Sequence, residues 1–306
     1  MELMEFKPSY LTLVESGEID HRIEMLYSKL GQCNICPRDC KVNRLEGETG
    51  YCKADAKLVV SSAQPHFWEE AILVGLGGSG TVFLSNCNLR CVYCQNFDIS
   101  HRGSGESMTE EQLAESMLWL QRIGCHNINL VTPTHYTPQL VKSIAIAARK
   151  GLRLPIVYNC SGYESVETLK LLDGIIDIYM PDMKYGKMES AKLYSDAPDY
   201  FEINKAAVRE MHRQVGDLVI EHDIAWHGLL IRHLILPNDA AGSLNVFEFI
   251  ANEISKNSYV NIMFQYRPVY YAKEYEEIKH APYVEEYYNI LDMARGLGLH
   301  KGFPGE

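Results

Sequence analysis

Seven of the nine cysteines in this 306-residue chain fall in its first third, in two groups. The first is Cys33, Cys36, Cys40 and Cys52; the second is Cys87, Cys91 and Cys94. Thiols grouped this closely bind soft metals or iron–sulfur clusters, whereas a disulfide scaffold is usually a short secreted chain with its cysteines spread along it. The second group lies in Cys87-Asn88-Leu89-Arg90-Cys91-Val92-Tyr93-Cys94. Three thiolates on so short a loop can hold three irons of a four-iron cubane, leaving the fourth open to a substrate or cofactor. A purely structural cluster is expected to use a fourth cysteine. Positions 87, 91 and 94 also share one face of a helix, so three small core residues is the competing reading. Asn86, Asn88, Arg90, Gln95 and Asn96 surround them and no apolar stripe continues on either side, which disfavours it.

The first group offers four thiolates, enough to close a tetrahedral zinc site or a complete second 4Fe–4S cluster, and the spacing leaves that choice open. Arg38, Lys41, Arg44 and Lys53 interleave with it and would offset the charge of either centre. The segment is too polar to bury four free thiols as ordinary core. Cys125 and Cys160, at a predicted helix end and a strand end, read as core packing.

The elements that must position these groups follow from apolar periodicity. Tyr10 to Leu30 is helical in pattern with a break at Gly17. Pro37, Gly47 and Gly50 prevent one continuous helix through the first cysteine group. Past Leu58-Val59-Val60 and a glycine-rich turn over Gly75–Gly80, short apolar runs predict strands at Thr81–Ser85, Ile128–Thr132, Ile156–Cys160, Ile175–Met180, Leu229–Leu236 and Asn261–Tyr266. Helices are predicted between and after them at Thr109–Ile123 with Thr109 as N-cap, Gln139–Arg149, Ser165–Leu172, Tyr200–Val215, Ser243–Lys256 and Pro282–Gly296. Six strand–helix repeats imply an α/β fold: a partial (β/α)6 TIM-like barrel over 76–306, preceded by a helical and cysteine-rich metal-binding segment over 1–75. The cysteine loop then follows the first barrel strand, at the strand ends where such barrels place their chemistry.

Composition narrows the function classes. A formal net charge of -11 argues against a nucleic-acid partner, which needs a basic face. No apolar run approaches the ~20 residues of a membrane span, and Met1–Phe6 carries neither a basic leader nor an apolar signal stretch. The expectation is a cytoplasmic protein with no membrane contact.

Cys-x3-Cys-x-aromatic-Cys after a first barrel strand resembles the motif of the radical S-adenosylmethionine (SAM) superfamily. Over roughly Gly80 to Arg267 the chain is similar to the activating enzymes of glycyl-radical enzymes, such as the pyruvate formate-lyase activating enzyme, and most so to a branch with a cysteine-rich N-terminal segment. The resemblance implies a 4Fe–4S cluster on Cys87, Cys91 and Cys94, SAM chelating the open iron, and a flavodoxin or ferredoxin as reductant. One-electron cleavage of SAM then gives methionine and a 5′-deoxyadenosyl radical, which takes hydrogen from the substrate. It also implies a pocket. Tyr93 holds the aromatic position that contacts adenine. Asn159 and Ser161, in Tyr158-Asn159-Cys160-Ser161-Gly162, are placed for ribose hydroxyls, with a polar turn as the plain alternative. Met180-Pro181-Asp182-Met183-Lys184 resembles an Asp-x-Lys element near the methionine and ribose of SAM; an exposed ion pair or a helix cap is its plain alternative.

Arg232 matches an arginine that pairs with a carboxylate inside the barrel, and a charge in a buried strand needs such a partner. His233 faces the other way, toward the helices. Two positions depart from the family pattern. The second strand leads to Val131-Thr132-Pro133-Thr134-His135 where relatives have Gly-Gly-Glu, so threonine hydroxyls, carbonyls or His135 must stand in for the group that holds the SAM amino group. The sixth has Gln265-Tyr266-Arg267 where relatives place a histidine, leaving Arg267 to meet an anionic partner group or to be a surface charge.

Three functions compete on these grounds. The first is a radical SAM oxidoreductase that activates a glycyl-radical enzyme. The second keeps the SAM cleavage but acts on a peptide, nucleoside or small metabolite. The third is an iron–sulfur electron-transfer protein, which six strand–helix units and polar strand ends exceed.

Overall fold

A computed structural model describes residues 6–303. The sheet contains β1 (Leu58–His66), β2 (Ser79–Leu84), β3 (Glu106–Met108), β4 (Ile128–Val131), β5 (Ile156–Cys160), β6 (Ile178–Pro181), β7 (Val219–Glu221), β8 (Ile224–Leu234) and β9 (Tyr259–Met263). Six of them, β2, β4, β5, β6, β8 and β9, run parallel in that order. Among the described residues β9 pairs only with β8, so the arc does not close into a full barrel.

The helices are α1 (Tyr10–Ser16), α2 (Glu18–Ser28), α3 (Ala71–Val74), α4 (Phe97–Ser100), α5 (Glu110–Arg122), α6 (Thr137–Arg149), α7 (Val166–Lys170), α8 (Met188–Ser195), α9 (Tyr200–Val215), α10 (Ser243–Phe249) and α11 (Val284–Gly296). Helices α5, α6, α7, α8–α9 and α10 carry the crossovers between successive parallel strands. The α/β partial barrel of six parallel strands is therefore as the apolar runs imply.

Local chemistry explains the elements that matter. Thr109 caps α5 with a reciprocal box to Gln112. Helix α9 buries Asn204, Ala207, Val208, Met211 and Val215, one stripe of a surface helix. Inside the arc, Val157, Ile178, Met180 and Leu230 pack on Leu73 of α3, so this short helix fills the barrel's lower interior. Thr81, Asn129, Val157 and Ile178 form one register row and Phe83, Val131, Asn159 and Met180 the next, which sends Asn159 into the interior near the strand tops.

Several elements differ from the sequence pattern. The run at Leu58-Val59-Val60 extends to His66 as β1, antiparallel to β2, and β3 pairs with it in turn. Pro65, beyond the stretch that β3 covers, and half-exposed positions hide this strand from an alternation test. The β7–β8 hairpin turns on His222-Asp223, both at positive φ, without the Asn-Gly or Asp-Gly signal. It lengthens the fifth parallel strand back to Ile224. The helix expected to run from Ser243 to Lys256 is α10 followed by a π turn over Ile250–Ile254, and α8 falls where no helix was read.

Candidate active site

The chain leaves β2 at Leu84 and turns across the top of the arc. Asn86 and Arg90 take left-handed backbone angles, φ 71° and 57°, which fold the segment back on itself. Asn88 Nδ2 donates to Tyr163 O at 2.8 Å and Val92 N to Tyr194 O at 2.9 Å, tying the loop to the ends of its neighbours. Cys87, Cys91 and Cys94 then border one cavity of ≈ 250 Å³. Each sulfur has a hydrogen-bond partner: Leu89 N donates to Cys87 at 3.4 Å, Ser195 Oγ donates to Cys91 at 3.0 Å, and Ser100 Oγ lies 3.1 Å from Cys94. Burial pushes the Cys87 thiol up to about 12, against the amides of Arg90 and Leu89, and raises Cys94 as well. As free thiols Cys87 and Cys94 stay protonated, and a bound metal would displace those protons.

The facing wall is charged. Asp182, at the top of β6, accepts from Lys184 Nζ at 2.6 Å and from Arg232 Nε at 2.9 Å. Arg232 Nη2 also donates to Asn159 Oδ1 at 2.7 Å. Burial alone would raise the Asp182 carboxyl, but Arg232 and Lys184 outweigh it and hold it below the ordinary carboxylate range. Burial likewise opposes the Lys184 and Arg232 cations, and Asp182 more than restores them. A glycine is required beside this network. A Cβ on Gly162, at φ +73°, would stand 2.1 Å from Asn204 Nδ2 and 2.3 Å from Asp182 O.

All nine residues expected to serve cluster and SAM, the three cysteines with Tyr93, Asn159, Ser161, Asp182, Lys184 and Arg232, border this one cavity. Tyr93 is also packed edge-on against Tyr185 and Tyr266, so it belongs to an aromatic core as well as to the cavity wall. Cys160 is buried in the main core and also touches the cavity, while Cys125 is core alone. His233 packs outward on Phe247 and bonds Met183 O and Ser243.

Of the stand-ins for Gly-Gly-Glu, only Val131 and Thr132 face the cavity. Thr132 holds φ 61°, a rare angle for a β-branched residue, with its amide bonded to Asn159 O at 2.8 Å. Thr134 donates to Glu164, and His135 turns to Ser85 O at 2.7 Å. His135 is therefore excluded from the cavity; burial lowers its imidazole to about 3. Gln265 and Tyr266 reach the cavity; Arg267 is exposed and caps only Tyr266 O.

Three acids escaped the sequence reading. Glu69 and Glu70, just before α3, rise inside the arc to 3.8 and 3.9 Å from Arg232. Burial raises Glu69 against the pull of Arg232. Glu164 is buried between Thr134 and Tyr158.

Among the described residues no three Cys, His, Asp or Glu side chains stand converged as a finished metal-ligand set. The fit of the triplet to a 4Fe–4S cluster rests on its donor set. Three thiols share one cavity wall, each sulfur has a hydrogen-bond partner, and Arg90 Nη1, of a residue that also borders the cavity, is buried without a partner, suited to an anionic group.

Residues 81–221, which contain the cysteine loop, β4–β6 and α5–α9, match the Radical SAM superfamily. The uncharacterized protein MJ0674 of Methanocaldococcus jannaschii is 30% identical over 298 residues, covering 94% of this chain and 82% of the relative. The chain belongs to the radical SAM superfamily. A second protein of that organism, the uncharacterized MJ0808, is 25% identical over 92% of this chain and 83% of its own length. Two solved structures are more distant. A radical SAM methyltransferase from Sphaerobacter thermophilus has TM-score 0.49 at 13% identity, over 73% of this chain and 65% of that one. Methylornithine synthase (PylB) has TM-score 0.47 at 17%, over 69% and 59%. Radical SAM membership brings a 4Fe–4S cluster, SAM and the need for an electron donor. No helix among the described residues is long and apolar enough to cross a membrane.

Proposed function

We propose that this radical SAM protein binds SAM between its cysteine wall and the Asp182–Lys184–Arg232 network, and uses it to take a glycine α-hydrogen from a partner protein. The observation that carries the binding reading is the convergence of all nine residues, from the β2 loop and the tops of β5, β6 and β8, on one cavity. When bound, the cluster and SAM supply a one-electron reductive cleavage that yields methionine and the 5′-deoxyadenosyl radical.

The chain's own residues do the rest. Cys87, Cys91 and Cys94 hold the cluster, and no fourth cysteine of the loop closes it. Lys184 and Arg232 fix the Asp182 carboxylate in its ionised form, so that it faces the cavity as an acceptor of set direction. Asn159 Oδ1 is held by Arg232, which leaves its amide nitrogen to donate toward a ribose, with Ser161 beside it. The Tyr93 ring and backbone offer a surface for adenine. Val131 and Thr132, the residues that do border the cavity, take the part of Gly-Gly-Glu toward the SAM amino group.

The partner reading is supported by the open arc. Among the described residues no strand lies beyond β9 to close the barrel, and a lateral opening admits a polypeptide loop more readily than a closed eight-strand barrel does. A reductant such as flavodoxin or ferredoxin completes the system.

The test is anaerobic incubation of reconstituted protein, reductant and SAM, with and without the glycyl-radical candidate encoded beside its gene. 5′-Deoxyadenosine should form, and the partner should gain an organic radical visible by electron paramagnetic resonance. No 5′-deoxyadenosine under any condition would overturn the enzymatic reading. Its formation with a small metabolite consumed and no partner modified would replace the glycyl target with a small-molecule one.

A further inference from the structure

The segment from Gly31 to Lys57 has one short 3-10 turn, Arg44–Glu46, and no strand or α-helix of its own, yet its backbone folds back on itself at the cysteines. Cys33 N donates to Val42 O at 2.9 Å and Lys41 N to Cys33 O at 3.0 Å, which lays Cys33 alongside the stretch that follows Cys40. Tyr51 N donates to Cys40 Sγ at 3.4 Å, bringing the turn before Cys52 against Cys40. A Cβ on Gly50 would stand 2.7 Å from that same sulfur, so only glycine permits the approach. The residues after Cys40 and Cys52, Lys41 and Lys53, both take left-handed φ, 59° and 63°, the sharp reversal that lets a short chain curl around a centre. Cys33, Cys36 and Cys52 are buried, in a stretch with little apolar mass to hold them there.

From this module one side chain reaches the catalytic loop. Arg38, between Cys36 and Cys40, donates from Nε to Asn88 O at 2.9 Å, from Nη2 to Ser195 O at 3.1 Å, and from Nη1 to Asp196 O. Its guanidinium lies over the Tyr51 ring, 3.7 Å from the centroid, so the residue before Cys52 holds it flat. Asn88 stands between Cys87 and Cys91, and Ser195 is the residue whose hydroxyl donates to Cys91 Sγ. One planar fork thus grips both the cysteine loop and the group that hydrogen-bonds its central sulfur. Arg44 and Thr168 anchor the module itself, through His135 O at 2.7 Å and Ile35 O at 2.8 Å.

We propose that Cys33, Cys36, Cys40 and Cys52 form a closed tetrathiolate metal centre, zinc or a second 4Fe–4S cluster, whose filling fixes Arg38 as a clasp on the Cys87–Cys94 loop. Four thiolates leave no open position, so the centre does no substrate chemistry. It stands in for the core that the segment lacks. The metal site is independent of the radical reading; the clasp rests on it.

The test separates the two. The Cys87→Ala/Cys91→Ala/Cys94→Ala variant, purified without oxygen or chelator, should retain about one zinc, or about four irons with sulfide, per chain. Adding Cys36→Ser and Cys52→Ser should remove it. Zinc and iron with sulfide distinguish the two metals, and either supports the site. Neither metal, or the four thiols found free or joined as disulfides, overturns it. Should the triple variant not fold, wild-type protein serves: its metal should exceed the one radical cluster by that same amount. For the clasp, Arg38→Met should keep full metal content while the spectrum of the reduced radical cluster changes and amide exchange at 88–91 rises ~10-fold, with Arg38→Lys in between. An unchanged spectrum and unchanged exchange in Arg38→Met overturn the clasp and leave the metal site standing.

Discussion

Asp182 is the residue whose removal the structure makes most quantitative. It lies 2.6 Å from Lys184 Nζ and 2.9 Å from Arg232 Nε, and all three side chains are 16% exposed or less. At an effective dielectric near 20, each contact represents about 6 kcal/mol of gross attraction, most of it cancelled by the cost of desolvating the charges. Removing the shared carboxylate is different, because it strands two buried cations. Arg232 keeps Glu69 and Glu70 within 4 Å. Lys184 has no other carboxylate at that distance among the described residues, so most of the cost falls on it. Asp182→Asn should therefore destabilise the fold by about 3 kcal/mol at pH 7. Adding Lys184→Met should return about 2 kcal/mol of that loss, a coupling read from a double-mutant cycle in urea. The pH dependence follows from the lowered Asp182 carboxyl. Its folded value lies below the unfolded one, so its contribution is full above about pH 4 and is lost as pH falls through the folded value. The gap between wild type and Asp182→Asn should close in acid. Strict additivity of the two substitutions, or a gap that does not narrow as pH falls below about 4, would refute the account.

Four further outcomes follow from the same geometry. Cys87→Ala, Cys91→Ala and Cys94→Ala should each abolish reductive SAM cleavage, measured as 5′-deoxyadenosine, whereas Lys184→Met should weaken SAM binding ~10-fold with radical-cluster iron unchanged; full cleavage in any of the cysteine variants contradicts the assignment. Ser195→Ala removes the hydroxyl that donates to Cys91 Sγ at 3.0 Å. The radical cluster's midpoint potential should fall by about 40 mV in a redox titration, since about 1 kcal/mol of stabilisation of the reduced form is lost over one electron. Burial raises Glu164 to about 8 despite hydrogen bonds from Thr134 and Tyr158. Its folded value exceeds its unfolded one, so the stability it contributes is present in acid and lost as pH rises toward 8. Unfolding curves of wild type relative to Glu164→Gln should lose about 1 kcal/mol per pH unit between 5 and 8, and parallel curves would refute the raised carboxyl.

The parts of the site legible in the sequence are those whose chemistry is local. The cysteine loop advertises itself because three thiols sit among polar residues where no core stripe runs. Asn159, Asp182 and Arg232 are legible because polar groups at the tops of buried strands have few places to go but into the barrel. The groups that escaped are those fixed by distant chain. Glu69 and Glu70 precede a four-residue helix, and nothing near them signals that α3 plugs the arc and delivers them to Arg232, more than 160 positions later. Glu164 follows a strand end in an ordinary-looking turn, and only the packing of Thr134 and Tyr158 around it removes it from water. His135 carries an acceptor of the kind the SAM amino group needs, yet Ser85 O, just past β2, claims its ring.

The N-terminal arginines show the same limit from the other side. Arg38 and Arg44 are visible in the sequence as charge set among thiolates, which is a statement about net field. In the fold both are spent mainly on carbonyl oxygens: Arg44 on Asp55 and His135, Arg38 on Asn88, Ser195 and Asp196. A carbonyl acceptor leaves no trace in composition or spacing, because every residue has one. A guanidinium that bridges three of them ties the cysteine-rich segment to the loop it touches. Spacing can therefore nominate ligands, since ligation needs particular side chains; it cannot nominate the backbone contacts that hold those ligands in register.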